Sequence, residues 1–245
     1  MGDLRDRSVV VTGASSGIGA ALVRTLAAAG ARVTMGARRL DRLEALTREL
    51  GDGVVPVRTD MRVEADVVRL VATARERFGG VDALVNNAGL GRNAPVSSAA
   101  TELWREMLET NVLGLLVATR EAIQDMERRG VAGQIVHVSS MAAHRVPGPD
   151  SGVYAGTKFA VRAITEGLRQ ELRARKSPIR VSCVSPGYVE TEFAQVFVGP
   201  DATATRPDIT MLAADDVARA VVWILSQPPH VEVHDVLVRP TAQRH

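Results

Sequence analysis

The chain has 245 residues, 46% of them apolar, enough to bury a substantial core in one domain. Thirty basic against twenty-eight acidic side chains leave a net charge of +2, with no basic tract to mark a nucleic-acid partner. No apolar run approaches the roughly eighteen residues of a membrane span, the opening MGDLRDRS lacks an apolar signal region, and Asp6 stands where a myristoylation motif needs Ser or Thr.

Short β-branched runs alternate with helical stretches from end to end. SVVVTG precedes an alanine-rich helix over about Ile18 to Ala29, RVTMGA precedes a helix from Leu40 to Leu50, and VVPVRTD precedes one from about Glu64 to Phe78. VDALVNNAG then leads into a long helical region, roughly Thr101 to Arg129, and QIVHVSS into a helix over Tyr154 to Arg175. IRVSCVSPG, an irregular stretch, a helix from Asp215 to Leu225 and a strand around Val236 close the chain. This alternation predicts an α/β fold: a single-domain, Rossmann-type, doubly wound parallel sheet with helices on both faces. The segment 188–210 has no clear periodicity and follows a strand end, which predicts a substrate lid. Its stretch Gly199-Pro200 and Asp201 to Pro207 offers little apolar surface, so it is expected to be mobile without ligand and ordered over the nicotinamide with it. The one cysteine, Cys183 in VSCVS, reads as a buried packing residue in a reducing compartment, so the expected location is cytoplasmic.

The first strand ends in TGASSGIG, Thr12 to Gly19, with the helix beginning inside it. Gly13 allows the tight turn, Gly17 lets the backbone approach a pyrophosphate, and Gly19 permits close helix-to-strand packing; Ser15, Ser16 and Ile18 complete the cradle at the helix N-terminus. The second strand selects the dinucleotide. An NAD site carries an acid there to bond the ribose 2′-OH, yet this strand ends in Gly36, Ala37, Arg38 and Arg39. Two guanidiniums match phosphate oxygens with forked donors, which predicts NADP(H); of the pair, Arg38 is the expected anchor and Arg39 is alternatively a solvated helix-start charge.

Tyr154 and Lys158, four apart in YAGTK, share one helix face. A cation about 4 Å from the phenol would favour phenolate by roughly 4 kcal/mol at an effective dielectric of about 20, so a lowered Tyr154 pKa and proton exchange near neutrality are expected.

With these motifs in place the chain resembles the short-chain dehydrogenase/reductase family over nearly all its length. TGASSGIG is similar to the family's TGxxxGxG turn, VNNAG at Val85 to Gly89 to its NNAG strand end, and YAGTK to its YxxxK. Asn111 in TNVLG, Ser140 in VHVSSM and PGYVET from Pro186 to Thr191 also match. The resemblance implies a catalytic set of Asn111, Ser140, Tyr154 and Lys158, with Ser139 as the alternative to Ser140. It further implies Asp60 and Met61 at the adenine, Asn87, Ala88 and Gly89 lining the cofactor, and Pro186, Gly187 and Thr191 beside the nicotinamide amide, with Tyr154 and Lys158 also touching cofactor. The plainer alternatives are that Asp60 caps a turn, NNAG only ends a strand and Pro186-Gly187 only breaks one. Pairing of subunits through the two long helices, as a homo-dimer or homo-tetramer, is implied as well.

The C-terminal VHDVLVRPTAQRH lacks the TGxxxxVDGG-like strand common in beta-ketoacyl carrier-protein reductases. With TREAIQDM, AAHRV and TEGLRQEL it looks more like the NADP-dependent branch holding hydroxy-acid and serine dehydrogenases, clavulanate-type aldehyde reductases and a human cytosolic dehydrogenase/reductase acting on steroids. The implied activity is an oxidoreductase interconverting a small-molecule alcohol with its ketone or aldehyde, with Tyr154 as general acid/base. A lyase or epimerase, or a non-catalytic dinucleotide-dependent binding protein, on the same fold are the alternatives, and neither would consume NADPH. His144, four residues beyond Ser140, is either a substrate-side residue or an exposed structural histidine. His230, Glu232 and His234 alternate, but Pro228 and Pro229 make their approach irregular and no metal is expected.

Overall fold

A computed structural model describes residues 3–199 and 207–243. Seven parallel strands form one sheet in the order β3-β2-β1-β4-β5-β6-β7. They are β1 (Ser8–Thr12), β2 (Arg32–Ala37), β3 (Val54–Arg58), β4 (Ala83–Asn86), β5 (Gln134–Val138), β6 (Arg180–Pro186) and β7 (Asp235–Val238). The helices between them are α1 (Gly17–Ala28), α2 (Leu40–Leu50), α3 (Glu64–Phe78), α4 (Thr101–Leu108), α5 (Gly114–Arg129), α6 (Gly152–Ala174), α7 (Phe193–Val198) and α8 (Ala214–Leu225).

Alternation along each strand sorts the core into two layers, because successive side chains point to opposite faces. Val9, Val11, Val33, Met35, Val85, Val136 and Val184 pack with α1, α2 and α8 in one cluster. Val10, Leu84, Ile135 and Val181 face α3, α5 and α6 in the other. Both faces are covered, as near-continuous apolar runs in a parallel sheet require. Among the described residues no helix is long and apolar enough to cross a membrane.

Two expectations change at the level of elements. The helical region Thr101 to Arg129 is not continuous: a π turn at Glu109–Leu113 separates α4 from α5. The side-chain amide of Asn111 accounts for it, since its Oδ1 accepts from Leu90 N and its Nδ2 donates to Leu90 O, both at 2.7 Å. Tertiary bonds of this kind hold the wider turn against the helical default. The segment 188–210 is also not uniformly irregular, because α7 lies within it. Its entry is fastened by Glu190 N to Leu212 O at 2.8 Å and Leu212 N to Tyr188 O at 3.0 Å. Most of the stretch expected to be mobile, residues 200–206, lies outside the described residues.

Candidate active site

The carboxyl ends of β1, β4, β5 and β6 converge where the strand order reverses, the usual ligand crevice of an open α/β sheet. At β1 the chain leaves the sheet through Gly13, whose φ of +69° favours glycine and whose Cβ would stand 2.7 Å from Ala88 Cα. A Cβ on Gly19 would overlap the Gly13 carbonyl, so α1 starts directly against the strand. Thr12, not singled out from the sequence, fixes this corner: its Oγ1 accepts from Asn87 N at 3.1 Å and Ala88 N at 3.0 Å. Asn87 returns the tie by donating from Nδ2 to Thr12 O at 3.0 Å and Gly13 O at 3.2 Å. A polar side chain ending an otherwise apolar strand was the available signal.

Beside this corner, Ser140 caps a short 3-10 turn, its Oγ accepting from Ala142 N at 3.0 Å. The Ser140 hydroxyl stands close enough to the Tyr154 phenol to lower its pKa, while Ser139 turns away, donating to Lys158 O at 3.2 Å. The alternation of neighbours near a strand end thus puts one serine at the phenol and the other on the backbone of α6. Lys158, buried, donates from Nζ to Val138 O at 3.1 Å and stands 6.0 Å from the Tyr154 ring centroid. It also lies 3.3 Å from where a Cβ on Gly89 would be. Asn111 completes the group from the π turn, donating to Thr157 Oγ1 at 2.9 Å.

The electrostatic expectation for Tyr154 is reversed. Burial pushes the phenol up to about 12, with the nearby Ser140 hydroxyl opposing. Burial likewise pushes Lys158 down to about 8. The shared helix face is real, but Lys158 is engaged with a carbonyl rather than against the phenol oxygen, so desolvation of the phenolate outweighs Coulomb attraction. Over the phenol lie Phe193 and Phe197 of α7, with ring centroids 5.5 Å and 5.7 Å from that of Tyr154. Leu90, Ala94, Met107 and Ala142 continue this apolar cluster.

The short chain dehydrogenase family model matches residues 7–199. The chain belongs to the short chain dehydrogenase family. This dehydrogenase is 45% identical over 249 residues to dehydrogenase/reductase SDR family member 11 of Bos taurus, an alignment covering 98% of each chain. Its fold is similar to the closed form of serine dehydrogenase complexed with NADP+, with a TM-score of 0.91 and 33% identity over 97% of this chain and 96% of that one. It is also similar to the alcohol dehydrogenase from the archaeon Thermococcus sibiricus complexed with 5-hydroxy-NADP, with a TM-score of 0.86 and 31% identity over 98% of each chain.

The remaining residues of the dehydrogenase divide between cleft and scaffold. Arg39, rather than Arg38, folds onto the glycine turn, donating to Ser16 Oγ at 2.7 Å and to Ser15 Oγ at 3.2 Å and 3.3 Å. Arg38 is exposed and sits in the field of Asp60. The Asp60 carboxylate is bound by Arg62 in a local turn, and Arg62 holds it below the usual carboxylate range. Met61 is buried in the second core cluster, so its side chain packs rather than presenting to the cleft. Ile18 packs on the first cluster from the start of α1. Pro186 ends β6, and Gly187 N continues the ladder to Val238 O at 2.7 Å; a Cβ on Gly187 would collide with Gln243 and Arg239. Thr191 crosses to the opposite wall, its Cγ2 lying 3.0 Å from the Cβ position of Gly17. His144 Nε2 bonds Ser185 Oγ at 3.1 Å, anchoring the loop after Ser140 to β6. Glu232 accepts from Val181 N at 2.9 Å and lies 3.7 Å from His234, a strand-edge contact.

The residues present suit a dinucleotide phosphate. A turn bare of side chains leads into a helix start, and the Ser15 and Ser16 hydroxyls stand beside the guanidinium of Arg39. No carboxylate stands among Gly36, Ala37, Arg38 and Arg39 to repel a 2′-phosphate.

Proposed function

We infer that this dehydrogenase is an NADP(H)-dependent oxidoreductase that interconverts an alcohol with its ketone or aldehyde. The observation that carries the reading is the convergence of Ser140, Tyr154 and Lys158 beside the glycine turn, under an apolar cover. NADP(H), when bound, supplies or accepts the hydride. In reduction Tyr154, held protonated at neutral pH by its burial, gives its proton to the carbonyl oxygen. Ser140, beside that phenol, donates to the same oxygen as charge develops there. Lys158, between Val138 and Gly89, holds ribose hydroxyls and stabilises the phenolate left behind. Asn111 keeps the π turn open, and there it would position a water that replenishes the proton of Tyr154. Asn87, Ala88 and Gly89 form the cofactor wall opposite Pro186, Gly187 and Thr191.

The apolar cluster of Leu90, Met107, Phe193 and Phe197 beside Tyr154 favours a carbonyl compound with an apolar body. The decisive test follows NADPH absorbance against a panel of aliphatic, terpenoid, steroid and hydroxy-acid carbonyls. Turnover of at least one class with stoichiometric NADPH loss is expected; binding without consumption by any class would favour a regulatory protein, and substrate conversion without consumption a lyase or epimerase.

Location in the cytoplasm and assembly as a homo-dimer or homo-tetramer belong to the same reading. Supporting the latter, Leu108, Leu113, Leu116 and Phe159 are exposed by 40% or more on α4, the π turn, α5 and α6. Light scattering at micromolar concentration is expected to give a multiple of the chain mass; a monomer mass would refute the assembly.

A further inference from the structure

Glu192 stands between Thr191 and α7, and neither oxygen of its carboxylate is idle. Oε2 accepts from Arg39 Nη1 at 2.9 Å and Oε1 from Arg42 Nη1 at 2.7 Å. Both arginines belong to the start of α2, where the 2′-phosphate of NADP(H) must be read, and Arg39 is bonded in turn to Ser15 and Ser16 of the glycine turn. One carboxylate therefore ties the strap that leaves β6 to the opposite wall of the cofactor cleft. The strap continues into α7, whose Phe193 and Phe197 cover Tyr154. The far end of α7 is fastened separately, by Asn93 N to Phe197 O at 2.7 Å and by Arg92 Nη1 to Val196 O at 2.8 Å. Of these tethers, the one through Glu192 uses groups a phosphate would claim. Side-chain exposure of 42% for each arginine and 50% for Glu192 marks this as a weak, exchangeable ion pair.

We propose that Glu192 is a built-in competitor of the cofactor's 2′-phosphate: it holds Arg39 and Arg42 through its carboxylate, and a 2′-phosphate displaces it, releasing the cofactor-side tether of the α7 cover. A dianionic phosphate offers more charge and more acceptor oxygens to two guanidiniums than one carboxylate does, so exchange runs toward phosphate. The chain thereby couples recognition at the adenosine end to the cover over Tyr154. This rests on the NADP reading above, and the test separates the two.

Calorimetric titration at one ionic strength compares 2′,5′-ADP, which carries the phosphate, with 5′-AMP, which does not. Glu192→Gln is expected to bind 2′,5′-ADP about three- to tenfold more tightly than wild type, the size an exposed pair allows, with 5′-AMP within about twofold. Asp41→Asn removes the same charge from the start of α2 without touching either arginine, and should change neither ligand by more than about twofold. Hydrogen exchange supplies the second readout: amides of Phe193–Val198 should exchange faster in wild type on adding 2′,5′-ADP, and be fast in Glu192→Gln without it. Wild type that binds both nucleotides equally would sink the NADP reading itself. If wild type prefers 2′,5′-ADP but Glu192→Gln leaves the affinity unchanged, Asp41→Asn matches its gain, or α7 exchange ignores the ligand, the competitor role is wrong.

Discussion

Both ends of the strands carry arginines, buried or partly buried at one and exposed at the other, and they serve opposite purposes. At the amino end, Arg180 donates from Nη1 to the carbonyls of Gln227, Pro228 and Val231, at 3.2, 2.9 and 2.7 Å. Arg7 beside it donates to Gln134 Oε1 and Leu225 O, both at 2.9 Å. Burial lowers the pKa of both guanidiniums, and fixed carbonyl oxygens, with the Asp82 and Glu232 carboxylates nearby, offset the cost of their charge. At the carboxyl end, Arg39 holds hydroxyls and one exposed carboxylate, all replaceable by a ligand's oxygens. A buried positive charge therefore does not mark a binding site. What marks it is whether the partners can be exchanged.

The largest effect is expected at Tyr154. Tyr154→Phe should leave NADPH affinity intact and lower kcat by about 10² to 10⁴-fold, as loss of a general acid does. A variant keeping more than about a tenth of the wild-type kcat on a good substrate would remove Tyr154 from the proposed role.

The two arginine sites should then separate cleanly. Arg180→Ala strands three carbonyls and should cost about 2 to 4 kcal/mol in urea unfolding, with the NADPH over NADH preference unchanged. Arg39→Ala should do the reverse. Its stability should stay within about 1 kcal/mol, because its ion pair is exposed, while the ratio of kcat/KM for NADPH over NADH falls about tenfold or more, since each 1.4 kcal/mol is tenfold and a charged hydrogen bond is worth about that much. Equal behaviour of the two variants on either measurement would erase the distinction between the ends.

A subtler contrast lies beneath the site, where His137 is buried between Thr119 Oγ1 at 3.3 Å and Thr165 Oγ1 at 2.9 Å. Burial, aided by Arg169 and Lys158, pushes its pKa down to about 3. The unfolded chain, with an ordinary histidine near 6.5, takes up a proton the folded chain refuses. Stability from this group is thus complete above about pH 6.5 and is lost as pH falls toward 3, by about 1.4 kcal/mol per pH unit at most. His137→Gln should flatten that part of the urea-midpoint profile; an unchanged slope between pH 6.5 and 5 would show that other groups set it.

Much of this was legible in the sequence because it depends on short range and period. Apolar strands alternating with helices gave a parallel sheet covered on both faces, and the glycines of TGASSGIG gave the turn. YAGTK gave two side chains on one helix face. The interruption at Glu109–Leu113 was not legible, since α4 and α5 read as one periodic stretch until Leu90 claims the Asn111 amide. Nor was α7 recognised, although Phe193 and Phe197 at four-residue spacing inside a supposedly irregular segment were its signal. Arg42 and Glu192 were passed over because their meaning lies in a contact 150 residues apart in the chain.

The sequence by itself therefore determined the parallel sheet, the place of the phosphate turn, the absence of an acid after β2 and the family. All of these follow from local pattern and residue type. Tertiary structure alone decided which arginine meets the turn, which serine meets the phenol and which way the Tyr154 pKa moves. The physical reason is that Coulomb attraction can be read from spacing, whereas desolvation depends on what packs above, and here Phe193 and Phe197 close over the phenol.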